Sequence, residues 1–490
     1  MLIGRVLAMA VAFLTQIIVV RHLTKSDYGV FAYAFSAALL LQSVLALGVD
    51  RADTRFLAEY EHRRDHARLL GVIVLEAAVV LVLGAVSVGV VWVFRDALGG
   101  PAGHAHVGRD VLVIMIALAP IQALDVLVVN VFAVFASPWS VFFRRFVLAP
   151  ALRLLVAVAL VITGSGPTFL AAGYLLAGIV GVGVYLVLLV RLLRQRGFLP
   201  RRSLPTVTLP VRELLSFSLP LLFTNLVAVA ATELAPVVLG RFREASDVAA
   251  LRAVQPFAAL NLVVMLSFAT LFTPSAARLQ ARGDMAGLRA LYWQSACWVA
   301  VLTFPILCVT TALARPVTVI ALGDRYEASA LYVGIFAVGY YVNAALGFNG
   351  ITLQMLGRVR YVLVMNVVVL AWMIAANLVF IPRWGAVGAV VAVLTTLIVH
   401  NVGKQVGLGF GAVVGIVDRR HLRVVLTIVA AALCVNAVVV TLNPPLPVGL
   451  VLVAAATLAV VRAAAGTLEV AVMLPELARL PVIRWLFVPR

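Results

Sequence analysis

The chain has 490 residues, of which 64% are hydrophobic and 12% are charged, and its mean hydropathy is +1.12. This composition excludes a set of soluble domains and predicts a protein built from membrane-spanning helices. The net charge of +18 would suggest nucleic-acid binding in a soluble protein. Here the positions of lysine and arginine in the loops explain most of it, so no nucleic-acid partner is expected.

Fourteen apolar stretches, each long enough to cross a bilayer, follow one another along the chain with short polar breaks between them. Because backbone N–H and C=O groups find no water in lipid, each stretch is predicted to be a helix. The predicted spans are residues 2–20, 30–49, 70–94, 111–136, 144–162, 169–190, 214–239, 250–273, 290–313, 330–355, 360–381, 385–402, 424–441 and 448–465. The predicted fold class is an all-α polytopic membrane protein with about 14 transmembrane helices.

The hydrophobic pattern occurs twice, and the second copy is displaced from the first by 220 residues. Arg21 and Asp27 of the first copy align without a gap with Arg241 and Asp247 of the second, and six spans with their loops coincide. Because six is an even number, both copies enter the membrane in the same direction. The pattern therefore predicts two parallel six-helix repeats, which in transporters usually flank a shared substrate site.

The predicted organisation has five parts. An N-terminal six-helix lobe, 1–190, is joined by a basic and proline-rich cytoplasmic linker, 191–213, to a C-terminal six-helix lobe, 214–402. Two appended helices, 13 and 14, occupy 403–465 and have no counterpart in either copy. Residues 466–490 are predicted to form a cytoplasmic interfacial tail.

Basic residues are distributed unequally between the two sides of the membrane. If the N-terminus is cytoplasmic, the cytoplasmic segments hold 27 lysines and arginines and the outer loops hold 10. The positive-inside rule then places both termini in the cytoplasm of a multi-pass protein in the cell membrane, inner or plasma. Arg5 precedes an apolar stretch as in a signal peptide, but this stretch is the counterpart of the seventh span and is expected to be retained.

The sequence gives little support to an enzyme. Cys297, Cys308 and Cys434 all lie within predicted spans, which argues against a disulfide framework. The spacing of His104 and His106 could contact a metal, but no cysteine or third histidine is near, so no metal or cofactor is expected. The sequence contains no phosphate-binding glycine loop and no Ser/His/Asp set. Short, sparsely charged outer loops disfavour a membrane polysaccharide polymerase.

Four loop segments resemble those of one family of transporters. The segment 21–31, Arg-His-Leu-Thr-Lys-Ser-Asp-Tyr-Gly-Val-Phe, resembles the first outer loop of polysaccharide-lipid flippases. Residues 272–284, 356–358 and 381–389 are also similar to the family pattern, and the last contains its proline-tryptophan-glycine turn. These flippases, which export O-antigen and other oligosaccharides, belong to the multidrug/oligosaccharidyl-lipid/polysaccharide exporter superfamily. The four segments agree with it in order and spacing over about 400 residues.

The resemblance implies a flippase that moves a polyprenyl-diphosphate-linked oligosaccharide from the cytoplasmic to the outer leaflet by alternating access, for cell-surface polysaccharide biosynthesis. Its expected partners are that glycan, membrane lipids, and a polysaccharide polymerase or glycosyltransferases. A lipid II flippase is an alternative, because such proteins also have fourteen spans. A cation-coupled multidrug exporter is a second alternative, although Asp125 is the only deep acid of the N-terminal lobe.

An anionic diphosphate requires cationic residues, and arginine suits it because its planar guanidinium can bond phosphate oxygens bidentately. The candidates for diphosphate contact are Arg5, Arg51, Arg55, Arg153 and Arg278. For Arg5 the alternative is a side chain that reaches the headgroups from the first span. For Arg51, Arg55 and Arg278 the alternative is a charge that only sets the topology.

Ionisable residues within spans need a partner or a water-filled cavity. Asp125 in the fourth span and Arg153 in the fifth are candidates for a buried ion pair that either clamps the helices or couples transport. Glu233 in the seventh span is either a cation or proton site or an interfacial residue, and Arg252 is expected to be an interface anchor. A polar stripe on the tenth span is expected to serve helix packing; it consists of Tyr340, Tyr341, Asn343 and Asn349.

Overall fold

The structure, a computed structural model, describes residues 2–46, 48–94, 105–135, 138–198, 207–410, 414–415 and 418–468. The side chains of residues 2–3, 49–52, 105–106, 138, 220 and 419–420 are not part of this description. Within the described ranges the regular elements are all helices, as the backbone requirement in lipid predicts.

The first half of the chain forms eight α-helices and one π-helical turn within the described residues. They are α1 (Leu2–His22), α2 (Lys25–Leu45), α3 (Val49–His62), α4 (His66–Val93), α5 (Ala105–Phe135), α6 (Pro138–Phe143), the π turn (Arg144–Leu148), α7 (Ala149–Thr163) and α8 (Pro167–Gln195). Thr24 begins α2 by accepting a hydrogen bond from the backbone N–H of Asp27 at 3.1 Å, which satisfies one of the free donors of the first turn.

The second half forms nine further α-helices and one 3₁₀ turn in the described part of the chain. They are α9 (Val211–Phe242), α10 (Ala245–Ala281), α11 (Met285–Thr311), α12 (Ala314–Leu322), the 3₁₀ turn (Asp324–Ser329), α13 (Ala330–Ala345), α14 (Asn349–Met355), α15 (Val359–Gly409), α16 (Arg419–Leu442) and α17 (Leu446–Leu468). The predicted tenth span is therefore broken between α13 and α14.

Thirteen helical segments of the described chain are long and apolar enough to cross a membrane. One of them, α15, has 51 residues and contains two predicted spans, which meet at a kink where Gly385 has φ 57° and ψ −132°. A side chain would be strained in this conformation, which explains the glycine. Fourteen crossings follow, and the predicted all-α polytopic fold is confirmed.

The helix boundaries follow the repeat seen in the sequence. Helices that begin at Lys25, His66 and Pro138 recur about 220 residues later, at Ala245, Met285 and Val359. The two copies differ at their inner loops, because the first copy has the separate helix α3 where α10 of the second continues unbroken. The sequence did not reveal α3, which has few apolar residues.

Helix α3 packs on the beginning of α9. The hydroxyl of Tyr60, which is buried, donates a 2.8 Å hydrogen bond to Glu213. Burial, reinforced by this hydrogen bond, raises the pKa of Tyr60 to about 12. The hydroxyl therefore stays protonated and able to donate to Glu213 at physiological pH.

The chain packs as two compact units. The first consists of Met1–Ala253 with Asn377–Ala389, and in it α5 contacts α2, α3, α4 and α8. The second consists of Val254–Ala376 with the described part of Val390–Arg490, and in it α16 and α17 pack on α11 around a buried apolar core. The predicted lobe and linker boundaries stay predictions, and 469–490 of the predicted tail lies outside the described residues.

Candidate functional site

The fifth span changes its helical geometry in its first half. Arg144–Leu148 form a π turn, in which the N–H of Ala149 donates to the C=O of Arg144, five residues earlier. Pro150 follows and has no N–H to continue the α-helical pattern. Single π turns inside α-helices are frequent at functional sites, and this one carries two neighbouring arginines, Arg144 and Arg145.

Arg144 is the ion-pair partner of Asp125. Its Nε and Nη2 atoms lie 2.8 and 2.6 Å from the same carboxylate oxygen, and the arginine side chain is only 5% exposed. The guanidinium packs directly on the backbone of α8, where a Cβ at Gly181 would lie 2.9 Å from Nη2. The expected pair between Asp125 and Arg153 was therefore wrong, because a charge assigned to the preceding loop belongs to the membrane-spanning helix.

Arg153 lies on α7 between two neighbouring cavities. Its Cζ atom is 5.8 Å from the centre of the Tyr174 ring and 6.0 Å from that of Phe35, distances at which a cation is attracted to an aromatic face. Among the described residues, no carboxylate lies within ion-pair distance of Arg153. The side chain is exposed and thus able to meet a ligand.

The larger cavity has a volume of about 270 Å³ and is lined by α1, α2, α7, α8, the π turn and the beginning of α10. Its described lining includes three arginines, Arg145, Arg153 and Arg252, and no acidic residue. Its other wall is largely aromatic and comprises Tyr28, Phe31, Phe35 and Tyr174. A smaller cavity of about 50 Å³ shares Arg153 and Tyr174 and contains the Asp125–Arg144 pair.

Arg252, which lines the larger cavity, is paired with Glu233. Arg252 donates from Nη2 to the Glu233 carboxylate at 3.0 Å, and both side chains are largely buried. Gln16 on α1 donates to the backbone carbonyls of Arg252 and Ala253 at 3.3 and 3.1 Å. The charge of Arg252 is thus balanced within the protein. Arg145 and Arg153 are the two cations of the cavity without such a carboxylate among the described residues.

The other predicted cations do not line either cavity in the described structure. Arg5 is partly exposed on α1. Arg55 is exposed and lies 4.7 Å over the ring of Phe217. Arg278 is exposed and donates within its own helix, to the carbonyl of Pro274 at 3.3 Å. Their roles stay predictions.

The predictions for Arg51 and for the histidine pair cannot be compared with the structure, whereas the prediction for the polar stripe of the tenth span can. The side chains of Arg51 and His106, and His104 as a whole, lie outside the described residues. The polar stripe of the tenth span is used between helices, as when Tyr341 donates to the carbonyl of Ala300 at 2.9 Å.

Arg145 is the cavity residue that sequence reasoning missed. It was counted as a cytoplasmic loop charge because the apolar stretch begins beside it. A usable signal was present, since Arg145, Ala149 and Arg153 follow at intervals of four residues, the spacing of one helix face. Arg144 carried no such signal, because its partner lies on another helix.

Comparison with known proteins places this geometry in context. Residues 1–280 match the family model described as "Polysaccharide biosynthesis protein". A solved structure of the lipid II flippase MurJ in an inward closed conformation is similar, with a TM-score of 0.75 at 11% identity, over 97% of this chain and 99% of that chain. An inward-facing multidrug resistance MATE family transporter of the MOP superfamily has a TM-score of 0.61 at 17% identity, over 82% and 95% of the two chains. No curated protein sequence matches.

Proposed function

Since this chain belongs to the polysaccharide biosynthesis protein family, we propose that it moves a polyprenyl-diphosphate-linked oligosaccharide from the cytoplasmic to the outer leaflet, for cell-surface polysaccharide biosynthesis. It is a multi-pass membrane protein with the fold of the flippases and transporters of the MOP superfamily. The physical task is to carry a diphosphate and sugars through hydrocarbon while the polyprenyl chain stays in lipid. A polar cavity that opens to each side in turn accomplishes this.

The observation that carries the proposal is the pair of uncompensated arginines in the larger cavity. Arg153 is ten residues before the end of α7 at Thr163, which is about 15 Å along the helix and near the middle of a bilayer core of about 30 Å. A cation at this depth costs about 2.5–3.5 kcal/mol unless it meets water or an anion. Arg145 and Arg153 together match the charge of a dianion, such as a diphosphate diester.

The π turn supports the same assignment. It sets Arg144 against Asp125, and Arg145 lines the cavity with Arg153. The charge of Arg144 is thereby balanced within the protein, while Arg145 remains available to the ligand. The aromatic wall formed by Tyr28, Phe31 and Tyr174 supplies an apolar surface beside the charges, which is the usual composition of a small-molecule site.

The same cavity argues against a multidrug exporter that binds cations. Its described lining is positively charged and contains no acid, so a cationic drug would be repelled. A lipid II flippase remains the alternative, because its fold is the same and its substrate must also cross the bilayer. We propose that the polymerase or glycosyltransferases of the same glycan are partners, and that both chain termini are cytoplasmic.

The test is transport in proteoliposomes that contain the purified protein and a short-chain polyprenyl-diphosphate oligosaccharide. We expect Arg153→Gln to reduce the transport rate at least tenfold, which corresponds to about 1.4 kcal/mol. Arg194→Gln is the matched control, because Arg194 is exposed, lines neither cavity in the described structure and is not a candidate for diphosphate contact; it should change the rate less than twofold. Equal rates for Arg153→Gln and the wild type would refute the proposal.

A second transport experiment tests which lipid-linked substrate the protein prefers. Proteoliposomes with lipid II in place of the oligosaccharide lipid should show at most one tenth of the transport rate. The reverse preference would select the lipid II alternative. Deletion of the gene should cause the oligosaccharide lipid to accumulate in the inner leaflet, and normal surface glycan with unchanged lipid intermediates would contradict the proposed role.

A further inference from the structure

The second unit contains a cation on the protein-facing side of a spanning helix. Lys404 on α15 follows Val393, Leu397 and His400 at intervals of four, three and four residues, so the four side chains share one helix face. Val393 and Leu397 are 5% and 7% exposed, and this face therefore packs against protein and not lipid. Lys404 and His400 are both half-buried on it.

No carboxylate of the described structure pairs with this lysine. From Val254 onward, none of the described α-helices contains aspartate or glutamate. Among the described residues, Lys404 has no ion pair and no hydrogen bond. An ammonium group held in a low-dielectric setting without a partner is costly, so a membrane-embedded lysine of this kind marks a functional site by default.

The asparagine side chains near Lys404 are polar, but they form hydrogen bonds with one another. Asn349 donates to the side chain of Asn401 at 3.3 Å, and Asn401 donates to that of Asn343 at 2.9 Å. In contrast, Nε2 of His400 is buried and has no hydrogen-bond partner in the described part of the chain. One helix turn thus presents two nitrogen donors, on His400 and Lys404, without an acceptor.

These donors lie where the tenth span is interrupted. Lys404 Nζ lies against Gly350 in the first turn of α14, where a Cβ would be 3.2 Å from it. Between Ala345 and Asn349 the α-helix gives way to hydrogen-bonded turns. Breaks in spanning helices are a recurrent place for ligand sites in transporters.

We propose that Lys404 and His400 form a binding site for a phosphate-class anion, separate from the arginine cavity of the first unit. The ammonium supplies charge and up to three N–H donors, and the imidazole supplies one. Lys404 is five residues from the end of α15 at Gly409, about 8 Å along the helix, at the depth where phosphate headgroups begin. The anion is either the headgroup of an acidic phospholipid or the diphosphate of a lipid-linked substrate.

The chain offers a direct probe, because it contains only two lysines, Lys25 and Lys404. Reductive dimethylation with ¹³C-formaldehyde keeps the charge and labels both lysine amines together with the N-terminal amine. We expect the Lys404 methyl resonance of the full chain in nanodiscs to shift saturably with inorganic pyrophosphate, while that of Lys25 stays in place. The variants Lys25→Arg and Lys404→Arg assign the two lysine signals, and the signal that persists in both belongs to the N-terminal amine. No shift at Lys404 in any arm, or equal shifts of both lysines, would overturn the proposal.

Two further arms identify the source of the anion. Farnesyl diphosphate in phosphatidylcholine nanodiscs tests the substrate-like source, and phosphatidylglycerol nanodiscs without diphosphate test the headgroup source. A shift of Lys404 alone in either arm supports the site and identifies its ligand. The experiment stands apart from the transport proposal, because Arg153→Gln should reduce transport at least tenfold and leave the Lys404 response intact. Loss of that response in Arg153→Gln would mean that Lys404 only reports the arginine cavity.

Substitution of the lysine provides the second measurement. Lys404→Gln should weaken pyrophosphate binding to the second-unit site at least tenfold, and Lys404→Arg should retain it within threefold. Binding is read in the Lys404 variants from ¹⁵N-labelled His400, whose Nε2 is the other proposed donor. A melting temperature close to that of the wild type confirms that Lys404→Gln is folded. Unchanged binding in Lys404→Gln would refute the role of the ammonium.

Discussion

The pair between Asp125 and Arg144 allows a quantitative prediction of stability. Replacing Asp125 by alanine removes the carboxylate that accepts hydrogen bonds of 2.8 and 2.6 Å from Arg144. Arg144 is 5% exposed, so its charge is then left in the interior without a counter-charge. Breaking a buried pair in this way costs about 3–5 kcal/mol. Because Asp125 is 28% exposed and water can reach the vacated place, we expect about 3 kcal/mol.

A double-mutant cycle measures the pair itself. Asp125→Ala, Arg144→Leu and the double variant are unfolded in mixed micelles by titration with SDS, and the free energy of unfolding is followed by circular dichroism. The double variant should be less destabilised than the sum of the single variants, by about 2–3 kcal/mol. The matching cycle of Asp125 with Arg153 should give less than about 0.5 kcal/mol. A larger coupling energy for Arg153 than for Arg144 would refute the assigned pairing.

Two further predictions concern stability, and each compares a substitution with a control: a second glycine of the same helix in one case and a second ion pair in the other. Gly181→Ala should lower the free energy of unfolding by about 1–3 kcal/mol, because the new Cβ displaces the Arg144 guanidinium. Gly183→Ala, which meets nothing within 4 Å, should raise it by about 0.5–1 kcal/mol in the same titration; equal losses would contradict the close contact. Glu233→Gln should cost about 1–3 kcal/mol and Glu327→Gln less than about 1 kcal/mol, since only the first belongs to a largely buried ion pair. Thermal unfolding would show similar melting temperatures for both variants if burial were unimportant.

The helices were predictable because the bilayer fixes their length. An apolar stretch of about 20 residues specifies a span without any knowledge of its neighbours, and most predicted spans agree with the helices within a few residues. The kink at Gly385 was also foreseeable from the Pro-Arg-Trp-Gly sequence between two apolar stretches. The break between Ala345 and Asn349 was not, because its residues are mostly apolar and the stretch reads as continuous.

The site was predictable only in part, because a basic residue at a helix end can either set the topology or contact a partner within the membrane. Arg144 and Arg145 satisfy the positive-inside rule, and hydropathy alone assigns them to the loop. The helix continues to Pro138 because Trp139 and the two phenylalanines after it extend the apolar surface by a turn and a half. Only the fold shows that Arg144 reaches Asp125. Arg153 was recognisable from the sequence because no topological role explains an arginine at mid-span.

The two copies of the repeat share a helix pattern but carry different charges, and the proposed substrate would account for the difference. Arg153 aligns with Met373, which is buried, and Lys404 aligns with Val184, which is exposed. A lipid-linked glycan has one diphosphate. A second mid-span arginine cavity would add cations at about 2.5–3.5 kcal/mol each without an anion to neutralise them. The uncompensated charge of the second copy lies instead near the end of its helix, where water and headgroups lower that cost. Duplication of the fold therefore does not require duplication of the binding chemistry.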